Sequence, residues 1–162
     1  MSSRYRIVTV CTGNICRSPM AEVILRQAFQ DSEVELDSAG TTDWERGSPI
    51  DPRAISVLEK HNVEIGSGHQ ARKFQPEDFV TSDLILALDT DHFDWLQRHA
   101  PSATNSEIRL LREFDPAADK ADLGIADPWY GDLSDFEETY RLITAALPGV
   151  VEYVQTSAAG HA

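Results

Sequence analysis

The sequence predicts an α/β fold in which four parallel strands form one sheet with helices on both faces. Short runs of apolar, β-branched residues alternate with segments of helical periodicity along the whole chain. The near-continuous apolar run at 83–88 has the pattern of a strand in the centre of a parallel sheet. A chain of 162 residues fits one domain with a sizeable core. We therefore expect a single three-layer domain over residues 1–162, with its core at about 4–155.

Two proline-containing pairs mark the beginnings of helices in the first half of the chain. Ser18-Pro19 and Asp51-Pro52 each place a capping side chain before a proline at the first helical position. Apolar residues before and between these pairs follow strand patterns, whereas the segment before Asp51 is rich in turn formers. The elements expected here are a strand at 7–10, a helix from 18 to near 30–32, a strand at 34–38, an ordered loop at 38–49 and a helix from 51.

Prolines also mark the limits of helices in the second half of the chain. The helix after the central strand has to stop before Pro101, because proline disfavours helical backbone in the residue that precedes it. Pro148-Gly149 is expected to kink or restart the last helix. The elements expected here are a helical turn at 76–79, the central strand at 83–88, a helix at 89–99, a strand at 108–111, an acidic turn-rich segment at 115–132, a helix from 134 and a frayed tail at 157–162.

The chain is strongly acidic, with a formal net charge of −13. Nucleic-acid binding usually needs a basic face, so we expect no nucleic-acid partner. The same charge opposes a phosphorylated substrate at long range, so any anion site has to act through local hydrogen-bond donors. The simplest interpretation of the acidity is that it keeps the protein soluble.

Neither a signal peptide nor a membrane span is visible in the sequence. The N-terminal residues contain no long apolar run, and no stretch approaches the roughly 20 apolar residues that cross a bilayer. The two cysteines, Cys11 and Cys16, imply no disulfide framework and suit a reducing compartment. We expect a cytoplasmic protein with no membrane partner, and export by a route without a signal peptide stays open.

The segment from Cys11 to Arg17 has the features of an anion site. It lies between a predicted strand and a predicted helix N-terminus, where free backbone N–H groups and the helix dipole attract anions. The helix N-terminus and the arginine favour the thiolate of Cys11, which attacks phosphorus, and the guanidinium of Arg17 can hold two phosphoryl oxygens. Gly13 would allow the unusual backbone angles of such a loop, and Asn14 suits a left-handed turn.

A bare C-x5-R pattern is weak, because a structural cysteine beside a surface arginine gives the same letters. The strand before it and the serine-proline pair after it strengthen the interpretation as a phosphate-binding loop. Taken alone, Asp127 before a proline would more often begin a turn. His69 and Ser38 also have plain structural interpretations. His69 could be a histidine with ordinary hydrogen-bond partners, and Ser38 could simply end a strand.

The stretch VCTGNICRSPMAE resembles the signature of the low-molecular-weight protein tyrosine phosphatases. A late DPWYG segment at 127–131 matches the same family, and the two together are specific. The resemblance covers residues 5–154 and looks most like bacterial members, with the actinobacterial ones as the narrower suggestion. It implies a Rossmann-like fold and metal-independent hydrolysis of phosphotyrosine, and of small aryl phosphates, through a phosphocysteine intermediate. No cofactor is implied.

The resemblance also implies roles for three residues. Cys11 would be the nucleophile, and Arg17 would bind the phosphoryl group and stabilise its transition state. Asp127 would protonate the leaving phenolate and then act as general base on the water that cleaves the S–P bond. Tyrosine-phosphorylated proteins would be the substrates, and a monomer is the expected state.

Other residues would support these three. Ser18 would stabilise the thiolate, and with Asn14, Ser38 and His69 it would belong to the network that holds the loop. The phosphate-binding loop itself would consist of Thr12, Gly13, Asn14, Ile15, Cys16 and Arg17. The cleft that stacks on the substrate ring would be walled by Trp44, Trp129 and Tyr130.

Cys16 has two interpretations. In the resembling family such a neighbour can form a reversible disulfide with the nucleophile and protect it against over-oxidation. The alternative is a small side chain packed within the loop. The sequence leaves this choice open.

Four other functions fit parts of the pattern less well. An arsenate reductase of similar fold needs further cysteines, and none follows Cys16. A protein arginine phosphatase resembles this loop but carries threonine where Ile15 stands. A silent phosphotyrosine-binding module needs neither nucleophile nor acid, and a thiol redox protein needs neither Arg17 nor Asp127. The residues therefore favour a phosphotyrosine phosphatase, whose physiological substrate stays open.

Overall fold

The computed structural model describes residues 4–159, in which four parallel strands form one sheet. The strands are β1 (Arg6–Cys11), β2 (Glu35–Gly40), β3 (Leu84–Ala87) and β4 (Glu107–Leu110). Their order across the sheet is β2-β1-β3-β4, so the apolar run at 83–88 does supply a central strand, as predicted. Val10 of β1 pairs with both Ala39 of β2 and Ala87 of β3, and the three strands therefore end at one edge.

Helices cover both faces of this sheet. The helices are α1 (Arg17–Ala28), α2 (Pro52–Lys60), α3 (Asp78–Thr81), α4 (Thr90–His99) and α5 (Leu133–Ala159), and 3-10 turns span Leu111–Phe114 and Pro128–Tyr130. One face carries α1, α2 and α5 around Leu58 and Phe136, and the other carries α3 and α4 around Phe79 and Leu96. The predicted three-layer α/β fold is confirmed.

The two proline-marked helix starts have different outcomes. The start at Asp51 is confirmed, because its side chain accepts a hydrogen bond from Arg53 N at 2.8 Å and caps α2. At the other, α1 begins one residue earlier, at Arg17, and the Ser18 hydroxyl does not cap it. The physical reason is that this hydroxyl lies 3.0 Å from Cys11 Sγ instead.

Several boundaries move by one to four residues. Helix α1 ends at Ala28 rather than near 30–32. Strand β2 continues to Gly40, into the segment predicted as a loop, because pairing with β1 extends to the Cys11–Gly40 register. Strand β4 ends at Leu110, and Leu111 already belongs to a 3-10 turn. The helical turn predicted at 76–79 lies at 78–81.

The last helix contradicts the expected frayed tail at 157–159 and, of the two alternatives at Pro148, the restart. It is one helix of 27 residues through Pro148, so no restart occurs there, and its residues 157–159 are helical rather than frayed. A continuous buried stripe that includes Ile143, Val150 and Val154 outweighs the lost hydrogen bond, and Ala158 still packs on the core. Residues 160–162 of the predicted tail lie outside the described residues. Among residues 4–159, none of the helices combines the length and the apolar composition that a membrane span requires.

Candidate active site

The phosphate loop, residues 11–17, connects the end of β1 to the start of α1. Cys11 is the last residue of β1 and Arg17 is the first residue of α1, and both side chains are buried. The loop therefore lies at the carboxyl edge of the sheet beside a helix N-terminus, where open α/β sheets bind ligands. Beside the loop, Gly40 comes so close that a Cβ there would lie 2.4 Å from Thr12 O. Only glycine fits at that point of β2.

Asn14 gives the phosphate loop its shape. Its φ of 62° is left-handed, as predicted, and its side chain is buried. Gly13, which was expected to provide the unusual angles, does not have a positive φ. Asn14 suits this conformation because its amide can bond locally, and here every polar atom of that amide has a partner.

The partners of Asn14 fix the direction of a hydrogen-bond chain. Oδ1 of Asn14 accepts from Arg72 N at 3.0 Å, which identifies Nδ2 as the donor to Ser18 Oγ at 2.8 Å and to Ser38 Oγ at 2.9 Å. Since the Ser18 oxygen accepts from Asn14, its own hydrogen is free to point at Cys11 Sγ, 3.0 Å away. The chain thus presents a donor to the sulfur, which stabilises a thiolate.

The far end of this chain is a carboxylate that the sequence interpretation missed. Ser38 Oγ donates to Glu22 Oε1 at 2.6 Å, and Glu22, on α1, is buried and paired with Arg26. His69 supports the loop separately, because its Nε2 lies 2.9 Å from the carbonyl oxygen of Asn14 and has to be the donor. The structure therefore brings together Asn14, Ser18, Ser38 and His69.

Arg17 lies under the loop with its guanidinium held at several points. Nη1 donates to Ile125 O at 2.8 Å and lies 3.4 Å from Asp89 Oδ2. Nη2 lies 3.4 Å from Thr12 Oγ1 and 3.6 Å from Asp127 Oδ2. The side chain is buried, so its charge faces the loop and the two carboxylates rather than bulk solvent.

Asp127 lies on a second segment, the acid loop, which we define as residues 126–132. It caps the 3-10 turn of residues 128–130, with Oδ1 accepting from Trp129 N at 3.1 Å. Asp127 lines the same cleft as Cys11 and Arg17. Asp127 therefore both caps a turn and lines the cleft.

Aromatic side chains form the rim of this cleft. Trp44 and Tyr130 are 77% and 84% exposed, and Trp129 is half-exposed. Trp129 and Tyr130 meet edge to face at 5.0 Å between ring centroids. Glu45, which the sequence interpretation did not single out, also lines the cleft. Large exposed aromatic rings at the mouth of a pocket are suited to stack on a planar ligand.

His92 is a further site residue that the sequence interpretation missed. Its Nε2 lies 2.8 Å from Thr12 Oγ1, so helix α4 contacts the phosphate loop. Burial, with a smaller contribution from Arg17, lowers the pKa of His92 to about 3, so this imidazole is neutral. Within residues 4–159 its Nδ1 has no hydrogen-bond partner. Only the helical spacing of His92 with Leu96 hinted that it points inward.

Cys16 is buried in the loop, and both cysteines are free thiols. Burial raises the pKa of the Cys16 thiol, and the carboxylate of Asp51 acts in the same direction. Cys16 is therefore protonated at neutral pH. In the described part of the chain, no three His, Cys, Asp or Glu side chains converge in a way that could hold a metal ion.

Comparison with known proteins places this site in context. The family model for low molecular weight phosphotyrosine protein phosphatases matches residues 6–159. A low molecular weight protein-tyrosine-phosphatase of Streptomyces coelicolor is 44% identical, with 98% of each chain covered.

Solved structures of two kinds of phosphatase share this fold. A low molecular weight phosphotyrosine phosphatase from Vibrio cholerae superposes with a TM-score of 0.84 at 27% identity, over 93% of this chain and 97% of that one. An arginine phosphatase from Drosophila gives a TM-score of 0.83 at 27% identity, over 91% and 96%.

Proposed function

The chain belongs to the low molecular weight phosphotyrosine protein phosphatases, and we propose that Cys11, Arg17 and Asp127 carry out its reaction. The protein is a hydrolase that removes phosphate from phosphotyrosine through a phosphocysteine intermediate, without a metal ion. The observation that carries the residue assignment is the position of Arg17. Its Nη2 lies 3.4 Å from Thr12 Oγ1 of the phosphate loop and 3.6 Å from Asp127 Oδ2, inside one cleft.

In the first step, the thiolate of Cys11 attacks phosphorus while the bond from phosphorus to the phenolic oxygen breaks. Asp127 gives its proton to that oxygen, because a bare phenolate is a poor leaving group. Arg17 and the loop amides hold the charge of the phosphoryl oxygens, which is the part a metal ion plays in other phosphoryl-transfer enzymes.

In the second step, water attacks phosphorus and the S–P bond breaks. Asp127, now a carboxylate, takes a proton from the water. Ser18 donates a hydrogen bond to the departing sulfur, with its direction set by Asn14 and the Ser38–Glu22 pair. The products are inorganic phosphate and the free thiolate, so the enzyme returns to its initial state.

The remaining assignments follow from the surroundings of these three residues. His69 holds the loop through the carbonyl of Asn14, and the rim of Trp44, Trp129 and Tyr130 stacks on the substrate ring. The substrates are tyrosine-phosphorylated proteins. We propose that residues 1–162 form one domain that acts as a cytoplasmic monomer, without nucleic-acid or membrane partners.

Cys16 is proposed to protect the nucleophile. Peroxide would oxidise the Cys11 thiolate to a sulfenic acid, and the Cys16 thiol would then condense with it, forming a disulfide and releasing water. Both thiols are free, and because Cys16 is protonated, it resists oxidation by peroxide and stays reduced until the sulfenic acid forms on Cys11. Peroxide treatment should lower the mass by two hydrogens per chain, and dithiothreitol should restore activity.

The experiment that tests the proposed reaction compares substrates in the presence of EDTA. We expect turnover of p-nitrophenyl phosphate and of a phosphotyrosine peptide, and little or none of matched phosphoserine and phosphoarginine peptides. Ile15 lines the cleft at the position where arginine phosphatases carry threonine, which is why phosphoarginine is expected to be poor. Cys11→Ser should abolish turnover and trap no phosphoenzyme. Turnover that survives Cys11→Ser would refute the assignment.

A further inference from the structure

Between Asp127 and Gly131, the acid loop is hydrogen-bonded to the rest of the molecule through one arginine, and its last residue, Asp132, bonds Asp135 of α5. Arg53 Nη1 donates to Trp129 O at 3.1 Å and to Gly131 O at 3.0 Å, on either side of Tyr130. The other hydrogen bonds of residues 127–131 within residues 4–159 stay inside the turn, and Asp127 adds its 3.6 Å ion pair with Arg17. The position of residues 127–131 therefore depends on where Arg53 is held.

The guanidinium of Arg53 is itself held by a carboxylate along its other edge and by an aromatic ring against one face. Its Nε and Nη2 donate to Asp51 Oδ1 and Oδ2 at 3.1 and 2.9 Å, which is the two-point geometry that suits a guanidinium and a carboxylate. Its guanidinium carbon lies 4.6 Å from the ring centroid of Phe136. Burial alone would raise the pKa of Asp51, but its hydrogen bonds from Arg53 lower that pKa overall. The pair is therefore charged at neutral pH.

The other end of the link reaches the phosphate loop. Asp51 N donates to Ile15 O at 2.9 Å, and Asp51 also caps helix α2. A path of short contacts thus runs from Ile15 through Asp51 and Arg53 to the carbonyl groups that flank Tyr130. Because helix α2 packs on α5, this path rests on regular structure and not on another loop.

From these contacts we infer that Asp51 and Arg53 form a positioning bridge, which sets the distance between the phosphate loop and the general acid Asp127. The inference rests on the proposed role of Asp127. Catalysis by a positioned acid is sensitive to displacements of about 1 Å. Lysine cannot replace the guanidinium of Arg53, because its ammonium group has no planar pair of donors. Arg53 touches no reacting atom in this arrangement and acts only through the acid loop.

The test is the dependence of kcat/KM on the leaving group. A series of aryl phosphates is used whose phenols run from strongly acidic to weakly acidic. Poorly acidic phenols need the proton from Asp127, whereas strongly acidic ones leave without it. Arg53→Met should lower kcat/KM by roughly 10-fold or more for phenyl phosphate and by less than about 3-fold for the most acidic phenol. Arg53→Lys should fall between Arg53→Met and the wild type.

Three further variants make the result specific. Asp51→Asn keeps the backbone contact to Ile15 but removes the charge, and should change the dependence in the same direction by less. Arg141→Met removes an arginine that pairs with Glu138 on the surface of α5, and should leave the series unchanged. Asp127→Asn should steepen the dependence most, and adding Arg53→Met to it should steepen it no further, because both act through one proton transfer.

The outcomes separate the bridge from the proposed function. If Asp127→Asn steepens the dependence and a folded Arg53→Met lowers all substrates equally, or none, the bridge is refuted and the general acid stands. If Asp127→Asn leaves the dependence unchanged, the general-acid assignment fails and the bridge fails with it. Should Arg53→Met not fold, Arg53→Lys and Asp51→Asn decide the question on the same series.

Discussion

The phosphate loop and the acid loop, to which we assign two parts of one proposed reaction, are built in opposite ways. The phosphate loop is largely buried, lies between a strand and a helix, and has a partner for each polar atom of the Asn14 side chain. The acid loop is largely exposed, belongs to a turn-rich segment, and is tied down mainly by Arg53. A site that binds a charge has to be rigid before the substrate arrives, whereas a proton donor needs access to a bulky leaving group.

This contrast predicts that damage to the acid loop affects catalysis without affecting stability. Asp127→Ala should lower kcat on a phosphotyrosine peptide by roughly 100-fold or more, as for a lost general acid. The free energy of unfolding should change little, because Asp127 is partly exposed and caps only a three-residue turn. Steady-state kinetics and urea unfolding on the same samples check both statements. An unchanged rate would reassign the aspartate to the turn alone.

Damage to the phosphate loop should instead lower stability and activity together. Asn14→Ala removes the partner of Ser18, Ser38 and Arg72 N and places alanine at a φ of 62°. We expect a loss of about 2 to 3 kcal/mol in the free energy of unfolding, together with a reduced kcat. Asn14→Gly is the control, since glycine accepts the backbone angle and should recover about 1 kcal/mol of stability but not the rate. Equal stability of the two variants would mean that the angle costs nothing.

His92, which contacts Thr12 of the phosphate loop, makes the stability of the folded protein depend on pH. Its pKa is about 3 in the folded protein and about 6.5 in an unfolded chain. Between these values the unfolded state binds one proton more, so stability rises with pH and is lost as the pH falls. The contribution amounts to about 2 kcal/mol between neutral pH and pH 5.

The variant His92→Gln should therefore lose about 2 kcal/mol less stability than the wild type between pH 7.5 and pH 5. Urea unfolding at the two pH values measures this difference. His99→Gln, at an exposed position on the same helix, is the matched control. If His92→Gln loses as much stability as the wild type between the two pH values, the acid sensitivity has to come from other groups.

The smallest effect is expected at the rim. Trp44→Ala should raise KM for phosphotyrosine by roughly 3- to 10-fold, which corresponds to one aromatic contact of about 1 kcal/mol. Because Trp44 is 77% exposed, the midpoint of thermal unfolding should stay the same. Val80→Ala, at an equally exposed position outside the cleft, should change neither quantity. A large loss of stability in Trp44→Ala would mean that the ring packs on the protein.

The sequence was enough to predict what is local. The strand, loop and helix around Cys11 and Arg17 are contiguous, and the left-handed turn at Asn14 follows from one residue type. The contacts it could not reveal join distant residues, such as His92 with Thr12, 80 positions apart, and Arg53 with Gly131, 78 apart. Side chains that act through such contacts leave no local pattern. The restart that was one of two alternatives at Pro148 does not occur, because packing outweighs a local preference.

The fixed direction of the hydrogen bonds around Asn14 has a consequence for both halves of the catalytic cycle. Asn14 gives one hydrogen to Ser18 and one to Ser38, and Ser38 passes its own on to Glu22, so the chain has a single allowed polarity. In the proposed reaction, the sulfur of Cys11 therefore meets the same donor, Ser18, when it attacks phosphorus and when the S–P bond breaks. Formation and breakdown of the phosphocysteine therefore use the same hydrogen-bond donor, and the Ser18 hydroxyl does not have to reorient between the two steps.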